Sequence, residues 1–175
     1  MPAPDSPLDR QYAAFVGSRW PTYRRKFLPF FEDPRFQPTW NWSAALFSPF
    51  WFLYRKLYVP FVFFWLAPGL VFALLWRGEP PQARDLATDT GLAQDARILF
   101  LGVQLSAMIL AGGTANFLLF RRAQAAIRLL GSLPANGGQD ATRVLARVGG
   151  TNRVAVIVVL ALLFLAAATV RQGAG

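Results

Sequence analysis

The chain contains no cysteine and no histidine. Their absence removes disulfides, the common zinc sites, thiolate-held clusters and histidine-held haem. It also removes histidine ligation of a chlorophyll-type pigment, histidine general acid–base chemistry and Ser-His-Asp triads. Charge is scarce as well. Asp, Glu, Lys and Arg make up 15% of the 175 residues, against about 25% in an average soluble domain. The missing charges leave three long stretches bare, at 59–76, 98–120 and 154–170. About 17 to 25 apolar residues cross a bilayer as a helix, and three spans of that length could not all be hidden in a soluble core of this size.

What charge there is has one dominant sign: 18 Lys and Arg against 9 Asp and Glu, a net +9. Such an excess suggests nucleic acid in a soluble protein. Here the basic residues flank apolar spans, so topology and anionic lipid explain them better, and neither nucleic acid nor metal is expected as a partner. The segment before the first span holds Arg10, Arg19, Arg24, Arg25, Lys26, Arg35, Arg55 and Lys56. The linker between the second and third spans holds Arg121, Arg122, Arg128, Arg143, Arg147 and Arg153. Only Arg77, Arg84, Arg97 and Arg171 fall on the other side. The positive-inside rule then places the N-terminus in the cytoplasm and the C-terminus outside. No apolar signal core occurs in the first forty residues, so the first span is expected to direct insertion.

The expected layout is a cytoplasmic amphipathic region at 1–40 and an aromatic segment at 41–58. A first span follows at 59–76, a periplasmic loop at 77–97, a second span at 98–120 and a cytoplasmic helical region at 121–153. The third span at 154–170 leads to a periplasmic tail at 171–175. The fold class is an all-α integral membrane protein of the bacterial inner membrane with three transmembrane helices. Ser6 followed by Pro7 and Asp9 predicts a capped helix ending at Gly17, with Leu8, Tyr12, Phe15 and Val16 on its apolar face. A second helix is predicted from Pro21, with Tyr23, Phe27, Phe30 and Phe31 on one side and Arg24, Arg25 and Lys26 on the other. Pro29 argues against regular helix at its end. The second span is predicted to continue as a helix along Phe120, Ala123, Ile127 and Leu130, with Gly131 and Pro134 as stops and a turn at Asn136, Gly137 and Gly138. A further amphipathic helix turns Ala141, Val144, Leu145 and Val148 inward and is hinged by Gly149 and Gly150.

The most informative stretch is WNWSAALFSPFWFLYRKLY, residues 40–58. Its apolar part is too short to span and is interrupted by Pro49, which suits an interfacial or re-entrant segment. Trp42, Trp51, Tyr54 and Tyr58 are suited to the headgroup level, and Arg55 and Lys56 to reaching lipid phosphate. Arg24, Arg25 and Lys26 are expected to meet anionic headgroups or an acidic partner surface. The residues Asn41, Trp42, Ala44, Ala45, Ser48, Pro49, Phe50, Trp51, Tyr54, Arg55, Lys56 and Tyr58 resemble a signature of a widespread bacterial membrane-protein family of unknown function. Its members carry Asn-Trp-x-Ala-Ala, then a Pro-aromatic-Trp step, then Tyr-Arg-Lys-x-Tyr before their first span. Ser48 stands where Gly is more usual, and Leu57 where Met is. The resemblance covers roughly residues 20–76 and implies architecture but no activity, and therefore no catalytic residues.

Within the second span Ala107, Ala111 and Ala115 recur at four-residue spacing beside Gly112 and Gly113. Small residues let helix backbones approach closely, so this face is expected to pack against the third span or against another protein's helix. Gln104 and Asn116 are expected to form interhelical hydrogen bonds. No ionisable residue lies inside a span, which weighs against a pump or ion-coupled transporter. Pro68 and Gly69 predict a kink in the first span. The expected function is a non-catalytic accessory subunit of a larger membrane complex of respiratory or photosynthetic type, with anionic lipid and other membrane subunits as partners. The alternatives are a small oligomeric channel or transporter, and a protein binding lipid, carotenoid or quinone without histidine ligation. A lipid-modifying enzyme ranks last, because the cluster Tyr54, Arg55, Lys56 and Tyr58 contains no carboxylate.

Overall fold

The computed structural model describes residues 2–76, 91–131 and 138–173, and among them every regular element is a helix. These are α1 (Pro7–Val16), α2 (Trp20–Glu32), α3 (Trp42–Tyr54), α4 (Tyr58–Leu75), α5 (Gly91–Gly131), α6 (Gly138–Val148) and α7 (Arg153–Gly173). Three stretches are long and apolar enough to cross a membrane: α4, the Gln94–Gly131 part of α5, and Ala141–Thr169, whose backbone breaks after Val148 so that its apolar part is α7. The turn expected at Asn136 and Gly137, the stop at Pro134, residues 77–90 and the last two residues lie outside the described residues. Gly138, expected in that turn, opens α6.

α5 is the mast on which the other helices hang. Its 41 residues rise about 60 Å, twice the hydrocarbon thickness of about 30 Å. It begins seven residues before the apolar span and so takes in 91–97, which were expected to be loop. The charge-bearing continuation along Arg121, Arg122 and Arg128 is helical as predicted.

That continuation is wrapped by α1 and α2 through aromatic side chains. Phe120 is wholly buried, and the rings of Phe27, Phe30 and Phe31 each stand 5.3 Å from it, with Tyr12 stacked at 6.0 Å. Pairs in such geometries contribute about 0.5–1.5 kcal/mol beyond area burial. α1 starts as the sequence demands: the Ser6 hydroxyl accepts from the Asp9 amide at 3.2 Å, and Pro7 opens the first turn. Its buried face is rotated from the expected one. Leu8 is 41% exposed, and Asp9 is buried in its place, drawn in by Trp20 Nε1 at 3.4 Å and Arg24 Nε at 3.0 Å. α2 runs through Pro29 to Glu32, with the Asp33 amide closing on the Pro29 carbonyl at 2.9 Å. So near the helix end, proline removes one hydrogen bond while Phe27 and Phe30 on either side hold the turn in place.

α3 is two short arms joined at Ser48, whose φ of 32° and ψ of −109° are not helical. Its path is read against α5. The approach at Asn41 bonds Gly112 and Asn116, the bend at Ser48 shares a hollow with Gln104 and Met108, and the exit at Arg55 accepts from Arg122. The segment therefore travels along α5 for about 18 Å from the level of Asn116 to that of Gln104, then returns. α4 leaves from the return point and packs antiparallel on the N-terminal half of α5, with Phe72 5.8 Å from Phe100. Its helix is continuous through Pro68.

α7 packs closely on α3 alone among the described helices. The small-residue face of α5 was expected to meet the third span or a foreign helix. The buried Ala111 and Ala115 instead meet α3, and Ala107 lies toward α4. The reason is the approach at Asn41, which brings α3 onto that face before α7 is reached. α6 docks on α1 with Leu145 fully buried, but Val144 and Val148, expected inward, are 42% and 40% exposed. The contact is made so close to the end of α6 that Gly149 replaces them: a Cβ there would collide with the Phe15 carbonyl oxygen. The Gly150 amide donates to that same oxygen at 2.8 Å.

Two outcomes follow from this packing. Gly149→Ala forces α6 off α1 and lowers stability by about 1–3 kcal/mol in detergent melts, whereas Gly131→Ala, where a Cβ meets open space, does not. Burial pushes the Tyr12 phenol from 10.0 up to about 12, against a smaller opposing pull from Arg128. The folded state thus holds this proton more tightly than the unfolded chain. Its contribution is complete below about pH 10 and is lost between about pH 10 and 12. Tyr12→Phe should remove that part of the alkaline destabilisation, read as melting temperature against pH.

Candidate functional site

The polar groups that the apolar helices bury converge where α3 meets α5. Asn41 caps α3, its Oδ1 accepting from the Ala44 amide at 3.2 Å. Its Nδ2 donates to Asn116 Oδ1 at 2.9 Å and to the Tyr23 hydroxyl at 3.5 Å, and its backbone amide donates to the Gly112 carbonyl at 2.9 Å. Asn116 Nδ2 returns to Thr39 at its carbonyl and hydroxyl oxygens, both 3.1 Å, and to the Trp40 carbonyl at 3.4 Å. Asn41 is 2% exposed and Asn116 is not exposed at all, so these bonds form away from water. The approach needs bare backbone on α5: a Cβ at Gly112 would lie 2.9 Å from the Ala45 Cβ and 3.1 Å from the Trp40 ring.

The exit of α3 is fastened as firmly. Arg55 was expected to reach lipid phosphate. It is 4% exposed, donates from Nη1 to the Val16 carbonyl at 3.1 Å and lies 4.8 Å over the Tyr23 ring. The physical reason is that the return of α3 places it against the C-terminus of α1, where free carbonyls favour a cation. Lys56, with φ of 58°, donates from Nζ to the Arg147 carbonyl at 2.7 Å and so ties the same exit to α6. The Asn152 amide donates to the Tyr54 carbonyl at 2.8 Å, and its side chain to the Tyr58 hydroxyl at 3.3 Å, which seats the start of α7.

The remaining residues singled out from the sequence separate. Trp42 is 68% exposed at the outer face of α3, while Trp51 is buried. Arg24 is held by Asp9 and by the Pro2 carbonyl, and Lys26 by the Trp40 carbonyl, which leaves Arg25 as the exposed member of that basic run. Ala107, Ala111, Gly112, Ala115 and Asn116 share the buried face of α5. Gln104 lines the hollow at the Ser48 bend rather than the Asn cluster. Sequence reasoning missed Thr39, Tyr23 and the pairing role of Asn41. An asparagine just before an apolar helix is a cap signal, but nothing local says that its amide meets a residue 75 positions away.

The arrangement is suited to holding a bent segment in place. Its donors and acceptors are consumed by one another and by backbone carbonyls. Asn41→Ala or Asn116→Ala leaves buried polar partners unpaired and costs about 1–3 kcal/mol each. The double variant should lose less than the sum, with a coupling of about 0.5 kcal/mol or more in detergent unfolding. Strict additivity would separate the two amides.

Comparison with known proteins gives one match. No curated protein and no solved structure matches the chain. Residues 13–125 match a family described as protein of unknown function (DUF2628). That range begins in α1, holds α2, α3 and α4, and ends inside α5. It covers more than half of the chain, and the protein is a member of the DUF2628 family.

Proposed function

We propose that the chain is a non-catalytic accessory subunit of a larger complex in the bacterial inner membrane, of respiratory or photosynthetic kind. In this reading α4, α5 and α7 span the bilayer. α1, α2, α6 and the C-terminal part of α5 form a cytoplasmic cap, the C-terminus is periplasmic, and α3 is a re-entrant hairpin entered and left on the cytoplasmic side. The charge asymmetry supports the orientation: fourteen of the Lys and Arg residues fall on the cap side and four on the other. The go-and-return path of α3 along α5 supports the hairpin, since bent backbone at membrane depth is tolerated where protein covers it.

The observation that carries the subunit reading is the disposition of α7. Among the described helices it rests on α3 alone, and Val154, Ile157, Leu162 and Phe164 remain 60–75% exposed, an apolar helix surface available to a neighbouring membrane subunit. The polar groups at the centre are engaged in holding helices, which suits a rigid framework more than a pathway for solutes.

The reading is tested in two steps. The chain has no native cysteine, so single reporters are unambiguous. Ser18→Cys should be protected from a membrane-impermeant maleimide in intact spheroplasts, and Gln82→Cys should be labelled. Gentle detergent extraction from native membranes should then give a particle containing further membrane proteins on native sizing. Migration as a lone 19.4 kDa chain with its micelle would overturn the subunit reading.

A further inference from the structure

Between α3 and α7 lies a groove of about 660 Å³, well within the size range of ligand sites. One end is polar and basic, formed by Arg19, Tyr54 and Arg55; the other is apolar, with Phe47, Val156 and Leu160. The two ends differ in depth. Arg55 and Tyr54 adjoin Asn152 at the start of α7, whereas Leu160 is seven residues into α7, about 10 Å further along its axis.

The basic end is not neutralised. Arg55 is 4% exposed, and among the described residues its Nε has no hydrogen-bond partner and no carboxylate pairs with it. The Val16 carbonyl and the Tyr23 ring offset part of that charge but carry no full negative charge themselves. Arg19 is exposed, and its guanidinium forms no hydrogen bond or ion pair among the described residues. A buried cation without a counter-ion is unfavourable, and Arg55 beside the exposed Arg19 at the mouth of an apolar slot favours a ligand with an anionic head and a hydrocarbon tail.

We infer that the α3–α7 groove binds one anionic phospholipid, its phosphate between Arg19 and Arg55 and an acyl chain along Phe47, Val156 and Leu160. The inference rests on the membrane placement proposed above, but not on membership of a complex. The lipid lies between α3 and α7, so it would steady the seat of α7 on the hairpin.

The test uses the purified full chain and native mass spectrometry, titrating phosphatidylglycerol, phosphatidylcholine of the same acyl composition, and inorganic phosphate. The wild type should retain one phosphatidylglycerol in preference to phosphatidylcholine, and inorganic phosphate should not displace it. Arg19→Gln should weaken phosphatidylglycerol about fivefold, the effect of one basic residue near a headgroup, while Arg25→Gln, of equal charge change but outside the groove, should not. Leu160→Trp fills the apolar end from an exposed position that the fold does not depend on, and should abolish retention with no change in charge. Equal effects of Arg19→Gln and Arg25→Gln would overturn the site, as would unchanged retention in Leu160→Trp. Displacement by inorganic phosphate alone would reduce it to an anion site and overturn the lipid assignment. Because these measurements use the isolated chain, their failure leaves complex membership standing, and a lone particle on native sizing leaves the groove standing.

Discussion

The paired amides of Asn41 and Asn116 set the position of α3 on α5. Both are buried: Asn41 donates to Asn116 and its oxygen caps α3, while Asn116 donates across to the Thr39 and Trp40 carbonyls. An unpaired amide in an apolar setting costs about 1–3 kcal/mol, so the α3 approach has one favourable register on α5. Gly112 permits that register, and the bulk of Trp40 and Ala45 against it leaves no room for slippage. Once Asn41 is fixed, the arm from Trp42 must run along α5, bend at Ser48 and return. Arg55 and Lys56 then find carbonyls at the ends of α1 and α6.

The aromatic collar and this lock are complementary. The lock fixes α3 on the apolar half of α5; Phe120 and its ring neighbours fix α1 and α2 on the charged half. α6 closes the collar through Gly149, where contact with Phe15 is made by backbone alone. In contrast, among the described helices α7 has only α3 beneath it, and α4 meets α5 across an open apolar hollow of about 620 Å³. Among the described residues the molecule is thus tight at one end and more loosely assembled along its apolar helices.

Much of this was legible in the residues. The three apolar stretches, the Ser6 cap, the continuation of α5 through Ala123 and Leu130, and the break at Gly149 and Gly150 all follow from local periodicity and turn chemistry. Pro49 and the shortness of the Trp42–Tyr54 run already pointed away from a span. What could not be read is which distant surfaces meet. The alanine face of α5 signalled close approach without naming the helix that approaches, and α3 took the place expected for α7. Arg55 and Lys56 have the pattern of residues that reach lipid headgroups, and only the return of α3 against α1 and α6 shows that backbone carbonyls of those helices are also their partners. The burial of Asp9 in place of Leu8 has the same origin, since a helical pattern gives an apolar stripe but not the Arg24 and Trp20 groups that pull a carboxylate under it.

The central claim is that α3 enters and leaves on one side, and its depth profile tests this most directly. Nitroxide labels on single cysteines at Pro38, Phe47 and Tyr58, in liposomes, report depth through relaxation by oxygen and by a water-soluble nickel complex. Each of the three positions is exposed on the folded protein. The account predicts water-accessible labels at 38 and 58 on the same side and an oxygen-accessible, nickel-protected label at 47. A depth that rises steadily from 38 to 58, or a label at 47 as open to nickel as its neighbours, would contradict it.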